Sequence, residues 1–155
     1  IRLLHWNHKQ QVVWGELVVA ASVAESLSTV FETAYNVRFP FQSMKRIDHY
    51  DGSDDKSMAA NNTSAFNCRA IKGTTRYSEH SYGKAIDINP FQNPWVLRQK
   101  VDPPMAKKYA DRSWSEPGML FADHPVVQAF EQIGWKWGGN WKRTKDYQHF
   151  SLSGR

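Results

Sequence analysis

The sequence contains a single cysteine, Cys68, so it cannot form an intrachain disulfide. It also lacks a long hydrophobic run. The longest nearly apolar stretch, residues 17–24, includes a serine, whereas a helix that crosses a bilayer needs about 20 apolar residues. Repeats, low-complexity segments and long runs of like charge are absent as well. A disulfide scaffold and a membrane helix are therefore excluded.

What remains is the composition of a globular protein, with 41% hydrophobic and 23% charged residues in a chain of 155. A chain of this size buries roughly 68–70% of its unfolded surface on folding and needs no covalent staple. The length favours one domain over residues 1–155, in which residues 1–15 show no clear structural pattern.

The formal net charge of +5 indicates affinity for an acidic partner such as nucleic acid, an anionic membrane or an anionic cell-wall polymer. Charge alone does not choose among these partners. The lysines and arginines are scattered, however, and no recognised nucleic-acid-binding motif is present. We therefore do not expect nucleic acid to be the partner.

Two segments have the apolar spacing of amphipathic helices. The first begins at Glu16 and carries one apolar stripe, formed by Ala20, Val23, Ala24, Leu27, Val30, Phe31 and Ala34. The second begins at Asp123-His124-Pro125, where a polar cap precedes a proline in the first turn, and ends at Gly134. Both helices are expected to pack on a core.

Alternating or short apolar stretches predict strands between and after these helices. They lie at residues 37–42, 65–71, 85–88, 135–137 and 148–152. Residues 51–64 are polar and rich in turn formers, and residues 90–120 hold five of the seven prolines, so both segments are predicted to be loops. Because helices and strands do not alternate regularly, the sequence predicts an α+β fold with a small sheet and flanking helices.

The densest chemical signal is the segment from Ser78 to Asp87, in which His80 and Asp87 lie on either side of Gly83. A tight turn at the glycine allows both side chains to converge, and imidazole and carboxylate are ordinary zinc ligands. Two such residues alone do not define a site. A third ligand from His149 would give two histidines and one carboxylate, which leaves a position for water as in catalytic zinc sites.

Asp146 lies three residues before His149, where it is suitably placed to act as the general base on such a water. Both residues have simpler interpretations. Asp146 is alternatively a surface carboxylate near a turn, and His149 is alternatively a hydrogen-bonded core histidine beside the apolar Phe150.

These residues together resemble a known family. Ser-x-His-x-x-Gly-x-Ala-x-Asp, here residues 78–87, followed by a distal acid-x-x-His, here Asp146 to His149, is the pattern of the zinc D-alanyl-D-alanine carboxypeptidases. Their relatives include VanY-type and VanX-type enzymes and phage endolysins that cut the L-alanyl-D-glutamate bond. Residues 65–69 and 134–139 are similar to the family's flanking segments, and the resemblance extends from Phe39 to Leu152.

The resemblance implies a fold of the LAS type, shared by hedgehog and DD-peptidase domains, and one zinc ion. It implies that His80, Asp87 and His149 bind this ion and that Asp146, where many relatives have Glu, is the general base. It further implies that Arg69 binds the carbonyl oxygen of the scissile bond, with Lys72 and Arg76 as rival candidates.

Ser78 resembles the family's substrate-contacting serine, although a hydroxyl that only caps the turn explains it nearly as well. Cys68 lies in a predicted strand, which favours a core position over a nucleophile. Two carboxylates of the 51–64 loop, Asp54 and Asp55, are candidates for a second cation, but solvated loop charges are the preferred interpretation.

Four aromatic residues near the C-terminus have two interpretations: they line a substrate groove or they fill the core. For Trp135 and Trp137, which alternate with Lys136, we favour the core. For Trp141 both the groove and the core interpretation stay open, and Tyr147 is the fourth aromatic residue of the group.

The leading hypothesis is a zinc peptidase that acts on peptidoglycan stem peptides, either as a D-alanyl-D-alanine carboxypeptidase or as an L-alanyl-D-glutamate endopeptidase. We expect a monomer with an extracytoplasmic location, whether secreted, periplasmic or wall-associated, or a phage lysin. The alternative is a non-catalytic basic module that binds cell wall or another anionic polymer. It would account for the charge and the tryptophans, but it leaves the two ligand motifs unexplained.

Overall fold

Small sheets and short helices follow one another in the computed structural model of the chain, which describes residues 1–71 and 73–154. The strands are β1 (Arg2–Trp6), β2 (Val12–Glu16), β3 (Ser43–Met44), β4 (Asn62–Thr63), β5 (Ala85–Asp87), β6 (Trp95–Leu97), β7 (Lys100–Asp102), β8 (Lys136–Trp137), β9 (Lys145–Asp146) and β10 (His149–Ser151). The α-helices are α1 (Ala24–Asn36), α2 (Asp54–Ala59) and α3 (Pro125–Gln132). The predicted α+β class is confirmed.

The sheet that matters for the site has the order β5-β10-β8, with both pairs antiparallel. Its central strand buries Phe150, which stacks on Phe130 of α3 with 4.1 Å between the ring centroids. Ile86 of β5 is also fully buried in this core. Such large buried aromatic and aliphatic groups dominate core energetics, so they hold β5 and β10 firmly side by side.

Helix α1 packs against α3 and buries Leu27, Val30, Phe31 and Ala34 of the predicted apolar stripe. It begins at Ala24, later than the predicted start at Glu16. Glu16 instead ends strand β2, which pairs with β1 as an N-terminal hairpin, and a 3-10 turn at Ala21–Val23 leads into α1. Consecutive β-branched residues at the start of β2 favour the extended form. Within the described residues, no helix has the length and apolar character needed to cross a membrane.

Helix α3 begins as predicted, because the His124 side chain accepts a hydrogen bond from the amide of Val126 at 3.2 Å. Gly134 follows the helix with φ of 82°. This left-handed conformation costs glycine little and ends the helix where the sequence predicts. The chain then enters β8 and returns to the sheet.

The prediction of a strand at residues 37–42 is wrong. Arg38 adopts φ of 53°, the amide of Phe39 donates to the carbonyl of Ala34, and Pro40 makes only an isolated bridge to Trp6. The segment thus serves as the end of α1, although Phe39 and Phe41 are buried as the alternating pattern suggested.

The prediction of a loop at residues 51–64 is also wrong, because the segment contains α2 and β4. Ser53 caps α2 by accepting a hydrogen bond from the amide of Lys56 at 3.3 Å. Asp54 and Asp55 follow in the first turn, where carboxylates interact favourably with the helix dipole. This cap pattern is visible in the sequence and could have identified the helix.

Two further segments differ from prediction. Residues 65–71 are irregular, apart from a bridge between Ala70 and Tyr77, and Cys68 is exposed rather than packed in a core. Residues 90–120, predicted to be loop, contain the hairpin of β6 and β7 and a 3-10 helix at Pro104–Ala110. The hairpin pairs with β9 and so brings this segment to the site.

Candidate metal centre

Three structural elements bring the predicted metal ligands together. His80 lies on a 3-10 turn, Glu79–Tyr82, Asp87 is the last residue of β5, and His149 is the first residue of β10. In the antiparallel register of these strands, His149 lies directly opposite Asp87. All three residues are buried. Residues distant in sequence therefore meet at one end of the sheet.

The turn that carries His80 is built by its two flanking residues. The Ser78 hydroxyl accepts a hydrogen bond from the amide of His80 at 3.3 Å. Gly83 closes the turn with φ of 63°, and a Cβ at this position would lie 2.6 Å from the amide nitrogen of Ala20. Only glycine satisfies both the backbone angle and the close approach.

The donor atoms of the three side chains lie close to one another. His80 Nε2 is 3.1 Å from Asp87 Oδ2, and His149 Nδ1 is 3.0 Å from Asp87 Oδ1. The two imidazole nitrogens are 3.4 Å apart. Tetrahedral ligands at about 2.0–2.2 Å from a zinc ion are separated by about 3.3–3.6 Å. The spacing of this donor set therefore fits a metal ion of zinc size.

The hydrogen bonds of His80 also fit a ligand role. Its Nδ1 atom lies 2.6 Å from the carbonyl oxygen of Ala65. A carbonyl can only accept, so Nδ1 carries the proton in the neutral ring and Nε2 is left with a lone pair. That lone pair is on the nitrogen nearest Asp87 and His149. Fixing a ligating histidine through its other nitrogen is a common feature of metal sites.

The charge of Asp87 is stabilised by its two histidine neighbours. Burial opposes ionisation of this carboxyl, but the imidazoles of His80 and His149 outweigh that effect and lower the pKa of Asp87. An ionised carboxylate between two imidazoles is a suitable ligand set for a divalent cation. Among the described residues, these three side chains have their donor atoms close enough to one another to hold one ion.

Asp146 lies on β9, opposite Trp95 of β6, and lines the same cleft as the three candidate ligands. Burial raises the pKa of Asp146 to about 7, and the negative charge of Asp87 contributes to this rise. Its Oδ1 atom is buried and has no hydrogen-bond partner among residues 1–71 and 73–154. An unpartnered carboxylate oxygen beside a candidate metal group is available for a substrate or a water.

Three residues were candidates for binding the carbonyl oxygen of the scissile bond, and the structure distinguishes two of them. Arg69 lines the cleft, and its Nε lies 3.1 Å from Asp54 Oδ2. Arg76 is exposed and does not line the cleft. Lys72 lies outside the described residues. Ser78 lines the cleft and also caps the turn, so both of its predicted roles are compatible with its position.

The cleft itself has a volume of about 800 Å³. Part of its wall was not predicted from the sequence, because β6 and β7 lie in a segment that was predicted to be loop. Trp95 and Asp102 line the cleft from this hairpin, opposite one another in register. The short apolar run at residues 95–97, followed by three polar residues and then Val101, was the signal that could have found them. Asp54 also lines the cleft, as a partly buried partner of Arg69 and not as a solvated loop charge.

The aromatic cluster divides between core and site. Trp135 and Trp137 are buried in the core as predicted. Trp141 lines the cleft, and its ring lies 5.6 Å from that of His149. Tyr147 packs against Trp137 and against the Arg112 guanidinium, which lies 4.4 Å from its ring. Trp141 is therefore the member of the cluster that faces the candidate metal centre.

Comparison with known proteins identifies the family. Residues 72–152, just over half of the chain, match a family model described as D-alanyl-D-alanine carboxypeptidase. The match includes the three candidate ligands, Ser78 and Asp146, whereas Arg69 precedes it. No solved structure matches the chain. The chain belongs to the D-alanyl-D-alanine carboxypeptidase family and is a member of a family of peptidoglycan peptidases.

Proposed function

We propose that this protein is a zinc peptidase that hydrolyses a peptide bond in peptidoglycan stem peptides. The observation that carries the proposal is the convergence of His80, Asp87 and His149, whose donor atoms lie within 4.8 Å of one another at a cleft. Membership of a peptidase family makes hydrolysis the natural use of such a group. A non-catalytic binding module would have no need of these three buried donors.

In this proposal His80, Asp87 and His149 hold one zinc ion. A bound zinc ion supplies Lewis acidity and lowers the pKa of its water from about 9 towards about 7. The protein contributes the fixed donor set: the sheet register orients Asp87 and His149, and the carbonyl of Ala65 orients His80.

Asp146 is the proposed general base. Its carboxylate takes a proton from the attacking water and returns it to the amine that leaves. A general base works best when its pKa lies near the working pH, and burial raises the pKa of Asp146 to about 7. The Oδ1 atom, which has no hydrogen-bond partner among the described residues, provides the accepting lone pair.

Arg69 is the proposed oxyanion-stabilising residue. Negative charge develops on the carbonyl oxygen as water attacks, and a fixed cation near that oxygen lowers the barrier. Arg69 lines the cleft together with the three donors and Asp146. Ser78 is proposed to contact the substrate from the edge of the turn, in addition to its capping role.

The proposed substrate class is the stem peptide of peptidoglycan, cut either at terminal D-alanyl-D-alanine or at the L-alanyl-D-glutamate bond. We further propose an extracytoplasmic location, because the substrate lies outside the cell membrane. A phage lysin, which acts on the same substrate, is included in this proposal. We also propose that residues 1–155 form a single domain with an LAS-type fold and that the protein is a monomer.

The test is mass spectrometry of stem peptides after incubation with zinc-loaded protein. The substrate is a pentapeptide that ends in D-alanyl-D-alanine, and crosslinked stem peptides are treated in parallel. Asp146→Asn, which preserves the shape of the side chain, and Asp146→Ala are the inactive controls. Metal content is measured by mass spectrometry of the purified protein at the same time.

Loss of one terminal alanine, absent in both controls, would identify a D,D-carboxypeptidase. Fragments that begin after L-alanine would identify an endopeptidase. Unchanged peptides in the presence of stoichiometric zinc would overturn the assignment of substrate. A protein that takes up no zinc would overturn the metal assignment as well.

A further inference from the structure

Asp54 and Arg69 form an ion pair in the wall of the cleft. The Arg69 Nε atom lies 3.1 Å from Asp54 Oδ2, and the two side chains are 32% and 26% exposed. The other oxygen of Asp54 accepts a hydrogen bond from Asn67 Nδ2 at 3.1 Å. Asp54 is therefore engaged through both oxygens, and its carboxylate cannot swing freely into solvent.

The backbone of Arg69 is fixed without any help from Asp54. Its amide donates to Ser81 Oγ at 3.0 Å, and its carbonyl accepts hydrogen bonds from the Ser78 amide at 3.0 Å and from Ser81 Oγ at 2.9 Å. Ser78 and Ser81 belong to the turn that carries His80. These bonds fix the Cα of Arg69 relative to the candidate metal centre, so Asp54 acts only on the direction of the side chain.

The ion pair holds the guanidinium without using up its donors. Nε is buried, but its N–H direction misses the carboxylate, so Nε has no well-formed hydrogen bond within the part of the chain that the structure describes. A guanidinium carries five N–H groups, four of them on the terminal nitrogens. A bidentate ion pair would occupy two N–H groups along one edge of the guanidinium, whereas this contact is made through Nε.

We propose that Asp54 is a positioning residue that holds the Arg69 side chain in the cleft, ready for the oxygen of the scissile bond. The inference rests on the proposed function, since Arg69 is assigned there to the developing oxyanion. A free arginine side chain samples many rotamers, and a cation contributes to catalysis in proportion to how well it is fixed beforehand. Asp54 supplies that fixation from α2.

The adjacent Asp55 provides a matched control. It also lines the cleft, at the same end of α2, but it is exposed and forms no ion pair within the described ranges. Substitution of Asp55 changes the net charge and the helix terminus in the same way as substitution of Asp54. A difference between the two variants therefore reports on the contact with Arg69.

The kinetic test compares Asp54→Asn, Asp54→Glu and Asp55→Asn. We expect Asp54→Asn to lower kcat by about 10- to 100-fold with KM changed less than about twofold, because the oxyanion forms only in the transition state. Asp54→Glu should recover part of the loss, and Asp55→Asn should lower kcat less than Asp54→Asn does, because Asp55 lines the cleft without an ion pair to Arg69. In an Arg69→Ala background, Asp54→Asn should cause no further loss. An equal loss in both backgrounds would overturn the proposal.

A second test does not depend on hydrolysis. The Nε–H resonance of Arg69 is observed by ¹H–¹⁵N NMR of the zinc-loaded protein and assigned by its disappearance in Arg69→Ala. Asp54→Asn should shift or broaden it, while Asp54→Glu and Asp55→Asn should leave it close to its normal position. An unchanged resonance in Asp54→Asn would contradict the positioning role.

The two tests separate the two proposals. If the wild-type protein hydrolyses no stem peptide but the resonance responds to Asp54→Asn as described, the proposed function fails and the contact stands. If hydrolysis occurs and both Asp54→Asn results are negative, the proposed function stands and the positioning role fails. If Asp54→Asn does not fold, the comparison of backgrounds is made with Asp54→Glu: a smaller loss of kcat in the Arg69→Ala background than in wild type would support the proposal, and an equal loss would overturn it.

Discussion

His149 faces Asp87 directly across two antiparallel strands, and its Nδ1 atom lies 3.0 Å from Asp87 Oδ1. The neighbouring pair in the register, Phe150 and Ile86, is fully buried in the core. Because side chains alternate along a strand, the residues that fix the strands in the core and the residues that form the donor group are adjacent. The geometry of the candidate metal centre therefore depends directly on the packing of the sheet.

Metal binding should stabilise the folded protein. A ligand that binds only the folded state adds about 2.7 kcal/mol to the free energy of unfolding at 100 times its Kd. We expect zinc to raise the Tm of EDTA-treated protein by several degrees, as measured by calorimetry. Asp87→Asn, which removes the central carboxylate, should abolish this rise, whereas Asp55→Asn should retain it. An equal rise in both variants would place zinc elsewhere.

Asp146→Asn should stabilise the metal-free protein at high pH while it lowers activity. The unfolded carboxyl has a pKa of about 3.9, and burial raises the pKa of Asp146 to about 7 in the folded state. Between these values the folded protein keeps a proton that the unfolded chain has lost, so the free energy of unfolding falls as the pH rises. Asparagine has no proton to lose and removes this fall.

The measurement is the denaturant unfolding of metal-free wild type and Asp146→Asn at pH 4.5 and pH 8. The variant should be more stable by about 1–3 kcal/mol at pH 8 and nearly equal to wild type at pH 4.5. Its kcat in the zinc-loaded form should fall by roughly 10²- to 10⁴-fold, which is typical for loss of a general base. A variant that is less stable than wild type at pH 8 would contradict the burial of an ionisable Asp146.

Cys68 should behave as an exposed thiol with no catalytic role. We expect a thiol reagent to label the native protein at one equivalent, because Cys68 is the single cysteine and is exposed. Cys68→Ser should change the free energy of unfolding by less than about 0.5 kcal/mol, as is usual for surface substitutions. Loss of hydrolysis in this variant would instead point to nucleophilic chemistry.

Ser78→Ala should separate capping from substrate contact. Loss of a side-chain cap costs about 1 kcal/mol, and the Ser78 hydroxyl caps the turn of His80. We expect a loss of stability of this size together with a raised KM, because Ser78 also lines the cleft. An unchanged KM in the destabilised variant would limit Ser78 to capping.

The helices show why some local predictions were confirmed and others were wrong. The apolar stripe of α1 and the cap of α3 depend on residues no more than a few positions apart, so the sequence alone contains their signals. The segment 37–42 has an equally clear alternation, but the chain bends at Arg38, and among the described residues only Pro40 bridges to a strand, at Trp6. Strand formation depends on a partner, and sequence pattern does not reveal the partner.

The donor types of the candidate metal centre, two histidines and one carboxylate, were predictable from the motif spacing. The position of Asp87 directly opposite His149 was not predictable, since it depends on which strands pair and in which register. The role of the 51–64 segment was missed for the same reason. Its helix has a local cap signal, but the contact between Asp54 and Arg69 arises only when α2 packs beside the cleft.

The sequence by itself determined the kinds of side chain available to the site, the family, and the core faces of two helices. Tertiary structure alone decided that the donors converge, that Asp146 Oδ1 is buried without a partner among the described residues, and that Asp54 lies beside Arg69. The physical reason is that donor distances of about 3 Å and the burial of a carboxylate are properties of packed surfaces, which form from segments far apart in the chain.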